Sequence, residues 1–249
     1  MAVGYQGLPR LHPVAGIEVA TLSAGIKTPG RRDLVLFSLQ AETSVAAVFT
    51  RNAFCAAPVL VARQHLRQGP PRYLLVNSGN ANAGTGETGL AAARACCDGL
   101  AERGGCRPEQ VLPFSTGVIG ENLPVERLLA GLQPALDGLS EDGWPQAAEA
   151  IMTTDTRPKL VSRRIQVAGR PVTVTGIAKG AGMIRPDMAT MLAYLATDAG
   201  LEPALLQACL ERAVAPSFNS ISVDGDTSTN DACVLLASGR GAHICLLYT

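Results

Sequence analysis

Lys179-Gly180-Ala181-Gly182-Met183-Ile184-Arg185-Pro186-Asp187-Met188-Ala189-Thr190-Met191-Leu192 is the stretch on which the reading of this 249-residue sequence turns. Gly180 and Gly182 free the backbone, Pro186 stiffens it, and the stretch runs into an apolar strand-like segment, 191–195. Thr190 stands at the junction. A threonine becomes an effective nucleophile when the peptide bond before it is cut, because the freed α-amine can deprotonate the hydroxyl of the same residue. Alone, the stretch makes Thr190 a candidate and nothing more.

Working outward, 47% of the residues are hydrophobic, a globular composition able to bury a core, and only 4% are aromatic, so that core should be tight and aliphatic. Twenty-one basic and 21 acidic residues cancel, which leaves no electrostatic footprint for nucleic acid or an anionic membrane. The pairs Arg31-Arg32 and Arg163-Arg164 read as solvated loop or strand-edge charges. No apolar run reaches the roughly 18 residues of a membrane helix, and the start lacks a basic segment followed by an apolar one, so a cytoplasmic location is expected. The seven cysteines are odd in number, irregularly spaced and without a C-x-x-C, so buried free thiols fit better than disulfides. His12, His65 and His243 lie far apart, which argues against a Cys/His zinc site, and no metal is expected.

Strand-like runs of aliphatic and β-branched residues fall at 17–22, 34–39, 45–50, 73–77, 165–167, 172–177, 191–197, 220–223 and 234–237. Helix-like segments fall at 88–103, with Thr88 as N-cap and Gly104-Gly105 as stop, at 125–139, where Pro134 should kink or end the helix, at 145–152, and at 201–214 with a one-face apolar spacing. Strands outnumber helices and come in runs, which predicts an α+β layered domain rather than an alternating parallel one. The segment 137–144 is the most linker-like and should separate two lobes.

Several motifs admit two readings. Gly84, Gly86 and Gly89 spell G-x-G-x-x-G, but the preceding strand should end near Asn77, too early for a dinucleotide turn, and no acidic strand end follows at the right distance. The asparagine-rich stretch 77–89 reads better as a loop whose amides satisfy buried backbone groups. In Asp224-Gly225-Asp226-Thr227-Ser228-Thr229-Asn230-Asp231 the glycine and glutamate of a calcium loop are replaced by Thr229 and Leu235, which leaves a polar turn between strands. Pro113-Phe114-Ser115-Thr116-Gly117-Val118-Ile119-Gly120 is either an ordinary glycine turn or a strand end where Thr116 and Gly117 aim a hydroxyl and an N–H at one oxyanion. Met152-Thr153-Thr154-Asp155-Thr156 is either a polar helix terminus or a set of hydroxyls lining a pocket. Lys179 is either solvated or placed to neutralise a carboxylate substrate.

Taken together, these residues carry a resemblance. Lys179 to Asp198 resembles the self-cleaving site of the bifunctional glutamate N-acetyltransferase (ornithine acetyltransferase) family of arginine biosynthesis. So do Val48-Phe49-Thr50, Ala56-Ala57-Pro58-Val59, Val76-Asn77-Ser78-Gly79-Asn80-Ala81-Asn82-Ala83, Ser115-Thr116-Gly117-Val118-Ile119-Gly120, Met152-Thr153-Thr154-Asp155-Thr156 and Val223-Asp224-Gly225-Asp226-Thr227-Ser228-Thr229-Asn230-Asp231, in order, from about Gly16 to about Ser238.

The resemblance implies an α/β/β/α sandwich of the ornithine acetyltransferase and self-cleaving aminopeptidase type. It implies autocatalytic cleavage between Ala189 and Thr190, hence an upstream chain of residues 1–189 and a downstream chain of residues 190–249. It implies acetyl transfer from N-acetylornithine to glutamate through an acetyl-Thr190 intermediate, with Thr116 and Gly117 in the oxyanion hole and Thr153, Lys179 and Thr190 contacting substrate. It implies no cofactor, acetyl-coenzyme A as a donor in some members, and a heterotetramer of two copies of each cleaved chain. An N-terminal-nucleophile amidohydrolase or aminopeptidase, or an inactive fragment, is the alternative.

Family members continue beyond this point, whereas 242–249 departs from their pattern, and a substrate-binding glutamate and a C-terminal asparagine and hydroxyl residue have no counterpart here. The sequence therefore reads as a fragment or a frameshifted chain.

Overall fold

The computed structural model describes residues 7–167, 169–185 and 191–244. Ala189 and Thr190, the expected cleavage pair, lie outside the described residues.

Aliphatic runs form two sheets. The first takes β1 (Ile17–Leu22), β2 (Leu34–Leu39), β4 (Tyr73–Asn80) and β5 (Val111–Val118) in the order β1-β2-β4-β5. The second takes β3 (Ser44–Phe49), β6 (Lys159–Val167), β7 (Arg170–Lys179), β8 (Leu192–Thr197) and β9 (Ala232–Ala237) in the order β3-β9-β8-β7-β6. Each sheet is antiparallel except for one parallel pair, β4/β5 in the first and β8/β9 in the second.

The inner faces pack on each other through Val35, Phe37, Leu74, Val76, Leu112 and Phe114 on one side and Ile177, Tyr194, Val234 and Leu236 on the other. Three of the few aromatics meet there. Phe37 lies 5.1 Å from Tyr194 between ring centroids, and Phe114 meets Tyr194 edge-on at 5.4 Å, which locks β8 into the centre. The outer face of the first sheet is covered by α2 (Gly86–Gly104) and α3 (Val125–Asp137), and that of the second by α5 (Pro203–Val214). The result is an α/β/β/α sandwich, as expected. Trp144, fully buried at the head of α4 (Trp144–Ala150), closes one edge of the central layer against Phe37.

Several local expectations need correction. Residues 220–223 do not join a sheet: 218–220 is a 3-10 turn, Ile221 and Val223 are exposed, and the Val223 N–H donates to Ile184 O at 2.9 Å. Thr88 lies inside α2, whose N-cap is Thr85, and the Thr85 hydroxyl bonds Asn82 Oδ1 rather than the helix. Gly105, at φ +63°, is the left-handed stop the sequence suggests. The 137–144 segment does not separate a pair of lobes, because β3 crosses to the second sheet and Ser140 bridges to Val19 of the first. Helix α1 (Ala57–Leu66) has no counterpart among the helix-like segments, since Pro58 looks like a breaker but occupies the first turn, where its missing N–H costs nothing. Six free cysteines are described, of which Cys96, Cys97 and Cys233 are buried.

Candidate active site

The carboxyl ends of β4, β5 and β7 and the residues that lead into β9 converge on one cavity of about 550 Å³. Ser78, Gly79, Thr116, Gly117, Thr153, Lys179 and Asn230 line it. Of the sequence-derived site residues, Thr116, Gly117, Thr153 and Lys179 are therefore brought together.

Backbone geometry fixes the β4/β5 side. The ladder is irregular at Gly79 and Asn80, and Gly117 at φ +139° lies so close that a Cβ would stand 2.3 Å from the Gly79 carbonyl carbon. Only glycine fits at that crossing. Asparagines satisfy the buried polar groups behind it. Asn77 accepts from the Ser115 hydroxyl at 2.6 Å and donates to Asn80 O at 2.8 Å, and Asn82 donates to Gly89 O at 2.9 Å. The G-x-G-x-x-G loop is thus filled by its own amides, the structural reading of the two.

Lys179 ends β7 and is buried. Its Nζ donates to Thr116 Oγ1 at 3.1 Å, which leaves the hydroxyl proton of Thr116 free to donate elsewhere. Burial pushes the Lys179 ammonium below the usual lysine range, and Lys159 adds to this, while Asp155 and Asp231 oppose it. Asp155 accepts from Gly180 N–H at 2.8 Å, from Lys159, and from Thr153 N–H at 3.3 Å, which ties the start of the 180–185 loop to the threonine-rich turn after α4. Although burial pulls Asp155 upward, these bonds and the two lysines hold it below its ordinary value.

The β8/β9 side contains groups that the sequence shows only as a polar turn. Asn230 donates to Ala81 O at 2.6 Å and Ser115 O at 2.9 Å, joining the second sheet to the strand ends of the first. Asp231 is buried and hydrogen-bonded to Ser228 and to the N–H of Met191. Its Oδ2 has no hydrogen-bond partner among the described residues. Burial pushes its carboxyl up to about 7, against the pull of those two bonds and Lys179. A carboxylate with spare capacity thus sits beside the residue that follows Thr190. Local pattern gives no sign of it, because its burial depends on β9 being central in the sheet.

The cavity favours an anionic ligand. Lys27, Arg31 and Lys179 line it, and its two lining acids are engaged: Asp33 by Ala24 and Ile26 N–H at 2.6 Å each, Asp224 by Met183 N–H at 2.6 Å and Ile184 N–H at 2.8 Å. Arg31, expected to be merely solvated, donates to Met152 O at the rim.

Four layers enclosing a polar cavity at strand ends define a class of α/β/β/α sandwiches. It includes the L-aminopeptidase D-Ala-esterase/amidase of Ochrobactrum anthropi, described as a new variant of the Ntn hydrolase fold; at 15% identity and TM-score 0.54, over 92% of this chain and 73% of that one, the likeness is of fold alone. Within that class the chain belongs to the ArgJ family, whose model matches residues 18–245. The match thus extends to residue 245, into the 242–249 segment expected to depart from the family pattern.

The chain is 64% identical over 231 residues to the arginine biosynthesis bifunctional protein ArgJ of Methylococcus capsulatus, covering 93% of this chain and 56% of the relative. It is 58% identical over 240 residues to that of Pseudomonas syringae, covering 96% and 59%. It therefore spans less than two thirds of the curated relatives it matches. Among solved structures, ArgJ of Bacillus halodurans matches at TM-score 0.64 and 37% identity over 71% of this chain and 92% of that one. An ornithine acetyltransferase complexed with ornithine, from Mycobacterium tuberculosis, matches at TM-score 0.61 and 35% identity over 70% and 93%.

Proposed function

We propose that this chain carries the acetyl-transfer site of an arginine-biosynthetic enzyme that moves acetyl from N-acetylornithine to glutamate through Thr190. The carrying observation is the buried Lys179–Thr116 hydrogen bond beside Gly117, at the mouth of a cation-lined cavity. In this reading the precursor first cuts itself. The Thr190 hydroxyl attacks the Ala189 carbonyl, the acyl group shifts from nitrogen to oxygen, and water hydrolyses the ester, leaving one chain of residues 1–189 and another of residues 190–249. The lengths of the solved relatives support this: some 70% of this chain accounts for over nine-tenths of each, so each is about three-quarters as long, the proportion at which residue 189 falls.

The freed Thr190 amine then takes the hydroxyl proton as Thr190 Oγ attacks the acetyl carbonyl. The Thr116 hydroxyl and the Gly117 N–H hold the oxyanion, and the proton passes to the departing ornithine amine as the C–N bond breaks. The glutamate amine reverses the sequence. Lys179 and Thr153 contact the substrate; two carboxylates on glutamate and one on N-acetylornithine suit a cavity lined by Lys27, Arg31 and Lys179 whose two acids already accept backbone N–H bonds. No cofactor is required, and acetyl-coenzyme A is a second donor to test. The full-length enzyme is proposed to act in the cytoplasm as two copies of each cleaved chain.

Mass spectrometry of the purified protein tests the cleavage: two pieces, one ending at Ala189 and one beginning at Thr190, are expected. Incubating the full-length protein with labelled N-acetylornithine, with and without glutamate, tests the chemistry. Label release that depends on glutamate supports transfer; equal release without it marks a hydrolase.

A further inference from the structure

Two loops meet at the rim of the cavity. Residues 182–184 come from the segment upstream of Thr190, and residues 222–225 from downstream. The Asp224 carboxylate uses both oxygens on the first loop, Oδ2 for Met183 N–H and Oδ1 for Ile184 N–H. The Ile184 carbonyl in turn accepts from Val223 N–H at 2.9 Å and Gly225 N–H at 3.3 Å. Asp224 is exposed, and these backbone donors hold its carboxyl below the ordinary range, so the clamp is charged at neutral pH.

The clamp secures an awkward conformation. Met183 has φ +56°, the left-handed region that non-glycine residues avoid. Gly182 beside it cannot accept a side chain freely either, since its Cβ would stand 3.3 Å from Asp224 Oδ2. A strained residue persists only where its surroundings over-determine it, and here the Met183 N–H donates to the Asp224 carboxylate, while the next residue, Ile184, is held by Asp224 and by the Val223 and Gly225 N–H groups. Beyond Ile184 the chain has few residues before Met191, whose carbonyl is fixed by Ala232 N–H at 3.0 Å. The described residues on either side of 186–190 are therefore each held by hydrogen bonds, and on the upstream side the only side-chain carboxylate among those partners is Asp224.

We propose that Asp224 is a positioning residue for self-cleavage: it clamps Met183 and Ile184, the last well-anchored residues upstream of the Ala189-Thr190 bond, and cleavage depends on that anchor. This rests on the reading of that bond as the cleavage site. After cleavage the same hydrogen bonds join the downstream chain to the tail of the upstream one.

The test follows the appearance of the two pieces by gel and mass spectrometry in freshly translated protein. Asp224→Ala should slow cleavage at least tenfold and Asp224→Asn, which keeps one acceptor oxygen, by less. Adding Met183→Gly, which adopts the left-handed conformation without strain, should restore some of the rate to Asp224→Ala. Cleavage of Asp224→Ala at the wild-type rate overturns the proposal, and so does a slowing that tracks a fall in melting temperature and is not rescued by Met183→Gly. Hydrogen exchange separates this from failure of the cleavage reading. In uncleaved Thr190→Ala protein the Met183 and Ile184 amides should exchange slowly, and quickly once Asp224→Ala is added. A wild-type protein that never splits sinks the cleavage reading and the positioning role with it, while the exchange result still decides whether the clamp exists.

Discussion

The two parallel strand pairs face the cavity with opposite ends. β4/β5 presents its carboxyl ends, and the buried side chains there are mutually satisfied: Asn77, Asn82 and Ser115 bond one another or nearby carbonyls, and Gly117 lies against Gly79 with no space to spare. β8/β9 presents its amino ends, and there one buried carboxylate oxygen of Asp231 has no hydrogen-bond partner among the described residues, beside the amide of residue 191. The first wall has no freedom, which suits an oxyanion site that must not reorganise. The second keeps unused polar capacity, which suits a place where a proton or a new amine has to be received.

The largest expected effect comes from the residue that precedes Met191 in the chain. Thr190→Ala should leave a single chain and reduce acetyl transfer by at least about 10^4-fold; two pieces in the variant would move the nucleophile elsewhere. At the first wall, Gly117→Ala should destabilise the fold by about 3 kcal/mol or more, because its Cβ meets backbone that cannot retreat. Gly120→Ala, also at positive φ (+84°) but in open space, should cost only about 1 kcal/mol, so thermal denaturation of the pair separates close approach from backbone strain. Thr116→Val should slow turnover by about 10^2-fold with little change in KM, whereas Lys179→Met should raise KM for the carboxylate substrates.

Asp231 sharpens the contrast through pH. Its folded-state pKa of about 7 lies above the ordinary 3.8, so its protonation favours the folded state. That contribution is complete below about pH 4 and is lost as pH rises through about 7, a fall of roughly 1–4 kcal/mol that Asp231→Asn should flatten in denaturation measured across this range. The smallest effect belongs to Thr88→Ala, expected to change stability by less than about 0.5 kcal/mol, since Thr88 is an exposed residue inside α2 and not its cap.

Legibility followed the same division. β1 and β2 were readable to the residue because an aliphatic run bounded by turn residues has one local solution. β5 was legible only as a strand end, because Pro113 and Gly117 argue against a strand; as an edge strand paired on one side with β4, it tolerates both. The 220–223 run has strand composition but finds its partner in the 182–184 loop. Thr116, Gly117, Thr153 and Lys179 were legible as separate polar features of loops and strand ends. Asn230 and Asp231 were not, because an Asn-Asp pair after a glycine turn reads as solvated until the sheet order buries it.

By itself the sequence determined where most strands and helices form, where α2 must stop, and that an ordered set of hydroxyl, lysine and glycine motifs runs along the chain. Those are properties of local pattern, set by apolar spacing and backbone preference. Only the tertiary structure decided that residues 116, 153, 179 and 230 share one cavity, that Asp231 is buried, and that Asp224 clamps a left-handed methionine. Ladder partners and burial are chosen between segments far apart in the chain, by how two sheets close over a common core, and no local stretch carries that information.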